Sequence, residues 1–105
     1  MSRSRSKYVR LYRPSVTVNS RASRREERRG AVSAAFGANA DAALDLLELT
    51  EFAWHDCYGE VTPPDDVIAD ILTVAQGRLD GLAYAARLAV EDFRDLRMQA
   101  EAISG

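Results

Sequence analysis

The 105-residue sequence predicts an all-α fold: a helical hairpin with a long C-terminal helix, completed by a short third helix and preceded by an extended basic N-terminal arm. Three observations predict it. From residue 40 onward the apolar positions recur at helical rather than strand spacing. Helix-ending and helix-starting residues punctuate the chain at Gly37, Asn39, Gly59 and Thr62-Pro63-Pro64-Asp65. Charge is also partitioned. Residues 1–30 hold ten of the fourteen Lys and Arg against two acids, about +8, and residues 31–105 hold four Arg against fourteen acids, about −10. The net charge of −2 conceals an asymmetry that suits a basic arm on an acidic body.

Residues 1–22 read as the arm and residues 23–105 as a small acidic helical domain. The first seven residues, MSRSRSK, are low-complexity. The next eleven, YVRLYRPSVTV, are rich in strand formers, but Pro14 bars them from the middle of a sheet and leaves an extended segment with a short strand at Val16–Val18. Ser23 followed by Glu26 makes a capping box, which starts a first helix running to about Phe36 and ending at Gly37. Asn39 caps a second helix over 40–58. Its inner face is Ala43, Leu46, Leu47, Thr50, Ala53, Trp54, Cys57 and Tyr58, and Gly59 stops it. Thr62 caps a third helix with Pro63 at its first position, and Asp65 and Asp66 lie against the positive end of the helix dipole.

The apolar stripe of that third helix is Ile68, Ile71, Leu72, Ala75, Leu79, Leu82, Ala86, Ala89, Val90, Phe93 and Ala100, and it stays in phase across Gly77 and Gly81. One continuous helix over 63–103, roughly 60 Å long, is the favoured reading. A break between Gly77 and Gly81 with Asp80 as a fresh cap is the alternative. A hairpin of unequal helices would leave Leu82–Ala100 uncovered, so the first helix is expected to fold over it, or a second copy to cover it.

With a single cysteine, Cys57, the chain has no intramolecular disulfide, and no apolar run approaches the roughly 18 residues that cross a membrane. A cytoplasmic protein with no membrane contact is the expectation. Arginine outnumbers lysine thirteen to one and alanine is abundant, which suits a high-GC bacterium, or a phage or mobile element living in one.

Two kinds of binding surface are expected. In the arm, Arg5, Lys7, Tyr8, Arg10, Tyr12 and Arg13 interleave cations with aromatics, and Arg24, Arg25, Arg28 and Arg29 add charge. Arginines neutralise phosphates while tyrosines stack on unpaired bases, so nucleic acid is one ligand; an acidic protein surface is the other. On the body, Gly77, Gly81, Tyr84 and Leu88 align on the back of a continuous helix as a surface for a protein partner or a homodimer. Phe52, among Asp45, Glu48, His55 and Asp56, is expected either to be covered by the first helix or the arm of the same molecule or to anchor a basic partner segment.

Catalytic chemistry finds little support. His55-Asp56-Cys57 are neighbours on a helix, point about 100° apart and cannot converge, with Cys57 expected inward and His55 outward. Glu51 and His55 are two ligands, too few for a metal site. Glu48-x-x-Glu51 with Asp92-x-x-Asp95 is loosely similar to the acidic magnesium cluster of all-helical nucleotide pyrophosphatases. Those carboxylates must meet at one ion, and Asp92 and Asp95 fall away from the stripe that faces the second helix. No catalytic residue, metal ligand or cofactor is assigned. The expectation is a non-enzymatic adaptor with a nucleic-acid- or acid-binding arm and a protein-binding body. The alternative is a regulatory inhibitor or antitoxin-like protein whose acidic body binds one basic protein target.

Overall fold

A computed structural model describes residues 20–105, and the calls on Arg5, Lys7, Tyr8, Arg10, Tyr12, Arg13 and the strand at 16–18 lie outside them. The described residues form four α-helices and no strand: α1 (Arg21–Phe36), α2 (Ala40–Tyr58), α3 (Asp65–Ala75) and α4 (Leu79–Ser104), with a 3₁₀ turn, Gly37–Asn39, between the first two. The all-α class and the boundaries of α2 follow the sequence. α1 packs on one side of α2, α4 packs on another, and α3 packs against α4.

α1 begins earlier than its expected capping box. Ser20 is extended and its Oγ accepts a hydrogen bond from the Ser23 backbone N–H, so Ser23 lies inside the first turn. Either serine suits the role, and the extra turn carries Arg21 over the Phe52 ring and precedes Arg24 on Glu51, contacts no local pattern encodes. Asn39 makes no side-chain cap; the 3₁₀ turn carries the chain directly into α2. At the far end Gly59, at φ +75°, donates its N–H to the His55 carbonyl.

α3 starts at Asp65, two residues later than expected, with Pro64 (φ −58°, ψ 158°) flanking it. The residue before a proline is pushed out of the helical region, so Pro63 cannot open the helix while Pro64 follows it. Pro63 is instead buried, and the Thr62 hydroxyl accepts from Arg28 Nη2 rather than capping. Asp65 and Asp66 do occupy the first turn.

The continuous helix over 63–103 is not formed. Gln76 and Gly77 both take left-handed conformations (φ +52° and +73°), and α4 starts at Leu79, within the Gly77–Gly81 window of the alternative reading. Asp80 is not the flanking residue; it sits in the first turn, where its Oδ1 accepts from the Gly81 N–H. The stripe stayed in phase because each helix of a hairpin buries a stripe of the same period against the other, whatever the connector does to their axes.

The two glycines are where backbones meet. A Cβ on Gly81 would lie 2.5 Å from the Ala75 carbonyl oxygen, and one on Gly77 would lie 2.6 Å from that of Ala35. They close the α3–α4 turn and dock it against the end of α1, so no glycine groove lies on the back of α4. Gly81→Ala should cost about 1–3 kcal/mol in urea unfolding, because backbone rather than a flexible side chain must move. A loss under about 0.5 kcal/mol, ordinary for a surface position, would show that the two helices do not cross there.

α4 is itself interrupted. Asp92 has extended dihedrals (φ −160°, ψ 89°), and its Oδ1 accepts from the backbone N–H groups of Arg94 and Asp95, the geometry of a helix cap. The chain reverses there. Tyr84 Oη donates to Gln99 Oε1 at 3.0 Å, although fifteen residues of straight helix would separate them by roughly 22 Å. Residues 93–104 therefore fold back along 79–91. The cover for Leu82–Ala100 comes from this return limb and α3, while α1 lies on α2 instead of over the distal part of α4.

The core gathers Val32, Phe36, Leu44, Leu47, Trp54, Ile68, Ile71, Leu82 and Leu96. Ala85, Ala86 and Ala89 are buried between limbs, and their small side chains let α4 be covered on more than one side. Leu44, Val67, Ala85 and Leu96 are buried without belonging to the expected faces; Cys57, expected inward, is exposed, as is Tyr58 in part. Among the described residues no helix is long and apolar enough to cross a membrane.

Candidate functional site

One end of the bundle brings together the last turns of α2, the α2–α3 connection, the start of α3 and the reversal at Asp92. Trp54 is buried there, and its Nε1 donates to Glu60 Oε1 at 3.0 Å. Tyr58, one turn on, lies with its ring centroid 4.3 Å from Trp54, and Phe93 stands 5.9 Å from both. Tyr58 Oη donates to the Val90 carbonyl at 2.7 Å, which fixes the ring. These three aromatics form the wall of a cleft of about 480 Å³ rimmed by Glu60, Asp66, Asp70, Arg94 and Arg97.

The rim is organised. Arg97 donates through Nε to Asp70 (2.6 Å) and through Nη2 to Asp66 (2.9 Å), tying the return limb of α4 to α3. Those bonds, Asp70's first, hold the guanidinium above its ordinary proton affinity. The cleft thus offers two half-exposed aromatic rings beside three carboxylates and two guanidiniums. Aromatic faces and carboxylates together suit a cationic side chain presented on an extended or helical segment.

The arginines of α1 face a ladder of acids on α2. Arg24 grips Glu51 with Nε and Nη2 (2.6 and 3.1 Å), and Arg28 Nη1 adds a third bond at 2.9 Å. Arg25 Nη1 bonds Asp45 and Glu48, and Arg29 bonds Asp41 and Glu26. Glu51 is buried, with 3% of its surface exposed. Burial by itself raises its carboxyl pKa; hydrogen bonds from Arg24 and Thr62, with Arg28, outweigh that and hold it below the ordinary value. The four α1 arginines counted with the arm thus bind the chain's own acidic helix.

Of the other surface residues, Phe52 stays half-exposed with the Arg21 guanidinium 4.4 Å above its ring. Tyr84 is half-exposed and bonded to Gln99, and Leu88 is partly buried against the core. Gly77 lies in the α3–α4 turn and Gly81 in the first turn of α4. Gly81, Tyr84 and Leu88 share one face of the first limb of α4, and Gly77 lies just before it.

His55 and Cys57 are both exposed near the end of α2. Glu51 and Glu48 are bound to arginines, and among the described residues no three His, Cys, Asp or Glu side chains are grouped to hold a metal ion. Sequence reasoning placed Trp54, Tyr58 and Phe93 on core stripes and missed the cleft. The i, i+4 spacing of Trp54 and Tyr58 was a visible signal; the arrival of Phe93 depends on the reversal at Asp92. Comparison with protein-family models, with curated proteins and with solved structures finds no match.

Proposed function

We propose that this chain is a non-enzymatic adaptor whose helical body docks a protein partner presenting a basic segment. The observation that carries the proposal is the Trp54–Tyr58–Phe93 cleft, where aromatic faces held by hydrogen bonds lie beside Glu60, Asp66 and Asp70. A guanidinium or ammonium from the partner would lie against Tyr58 and Phe93 and bond the rim carboxylates. The acidic surroundings, with Asp56, Asp65 and Asp95 exposed, would speed its arrival. This body-centred form adopts the alternative of the sequence reading, in which an acidic body binds one basic target.

The arm-centred form rests on Arg5, Lys7, Tyr8, Arg10, Tyr12 and Arg13. Residues 1–19 carry five cations and no acid, which suits nucleic acid or an acidic protein. The engagement of Arg24, Arg25, Arg28 and Arg29 with α2 narrows that ligand to these first residues.

Trp54 is the single tryptophan, so its fluorescence reports on the cleft directly. An arginine-rich peptide added to the full chain should shift that emission saturably, and Glu60→Gln and Phe93→Ala should each weaken binding about tenfold, a loss of about 1.4 kcal/mol. Changing Arg5, Lys7, Arg10 and Arg13 to glutamine should leave peptide binding intact. Binding of single-stranded oligonucleotide alone, abolished by those four changes, would replace the body-centred form with the arm-centred one.

A further inference from the structure

A second concavity, on a different face from the aromatic cleft, runs between α2 and the first limb of α4. Its volume is about 380 Å³, and its walls are Leu46, Leu49, Ala53, Ala83, Ala86 and Val90. Leu49 is 62% exposed, an unusual state for a leucine on a well-packed helix, and it stands beside a floor made of alanines. Among the described residues, the charged ones lining this groove are Arg87 and Glu91, which pair with each other at 2.9 Å.

The geometry points to a second copy of this chain as the occupant, giving a two-fold symmetric dimer through the α2–α4 groove. A two-fold contact needs a patch that complements itself, with residue i meeting j while j meets i. Here the projecting Leu49 and the alanine-floored hollow lie on one patch, so Leu49 of each copy fills the hollow of the other. Arg87 and Glu91, one turn apart and opposite in sign, exchange partners across the axis in the same way.

Charge selects the face. Residues 20–105 carry nine arginines against sixteen acids, so two bodies repel over most approaches. The groove is where the charges cancel and the apolar area is continuous. A basic partner, by contrast, gains nothing from a neutral trough and would be drawn to the acidic end that holds the cleft.

Sedimentation equilibrium of the full chain tests the proposal. The expected result is a reversible dimer of twice the 11.6 kDa chain mass, populated by about 100 μM. Leu49→Glu and Ala83→Glu, both at exposed positions, should each give a monomer with unchanged helical circular dichroism. A wild-type monomer up to about 500 μM would overturn the proposal. So would a dimer that persists undiminished in both variants. These outcomes are independent of peptide binding at Trp54, so this proposal and the function above fail separately.

Discussion

Glu51→Gln should destabilise the protein by about 2–3 kcal/mol at neutral pH in urea unfolding. Breaking a buried pair typically costs about 3–5 kcal/mol because the partner charge is stranded, and the lower figure allows for the water that still reaches Arg24 and Arg28. Glutamine keeps the shape of the side chain but loses the charge that two guanidiniums share (2.6 and 2.9 Å). Adding Arg24→Gln should cost less than the sum of the two single changes, since the pair acts as one unit. A loss below about 0.5 kcal/mol would mean that the pair behaves like an exposed one.

The same group sets a pH dependence. Its carboxyl is depressed in the folded state from an ordinary value of 4.5. The stability it contributes is therefore complete above that ordinary value and is lost as pH falls through the lower, folded-state value. Wild type should lose stability faster than Glu51→Gln as pH falls below that ordinary value, so that the two unfolding midpoints converge in acid. Parallel curves would show that the carboxyl is not held by its partners.

Leu96→Ala should cost about 3 kcal/mol, within the range for deleting a fully buried leucine. The residue is 0% exposed only because the chain reverses at Asp92. On an uninterrupted α4, Leu96 would extend beyond its partners into solvent and its truncation would change little. Met98→Ala, two residues on and exposed, is the control and should stay within about 0.5 kcal/mol. Equal, small effects at both positions would return α4 to a single straight helix.

Much of the fold was legible from local pattern. The limits of α2 followed from its apolar period and from Gly59, the residue best suited to a left-handed helix end at φ +75°. Pro64 likewise marks the start of α3, although reading it correctly required the constraint a proline places on its predecessor. The break at Gln76 and Gly77 was legible only as the alternative reading, because the glycines marked it while glutamine has no preference for a left-handed conformation. It is held there by the backbone approach of Gly77 and Gly81 to neighbouring helices. The reversal at Asp92 was hidden for a related reason: aspartate is common on exposed helix faces, and only when the return limb packs does its carboxylate become a cap.

The division of charge along the chain, the helical class and the positions of α1 and α2 belong to composition and period, which act over a few residues and are written in the order of the side chains. The use of that charge belongs to packing. Arg24, Arg25, Arg28 and Arg29 read as ligands for an outside polyanion until α1 is laid against α2, where Asp41, Asp45, Glu48 and Glu51 meet them. Trp54, Tyr58 and Phe93 likewise read as core until the Asp92 reversal gathers them at one end as the wall of a cleft. Pairing of charges and opening of clefts depend on distances between residues far apart in the chain, and those distances exist only once the helices have found one another.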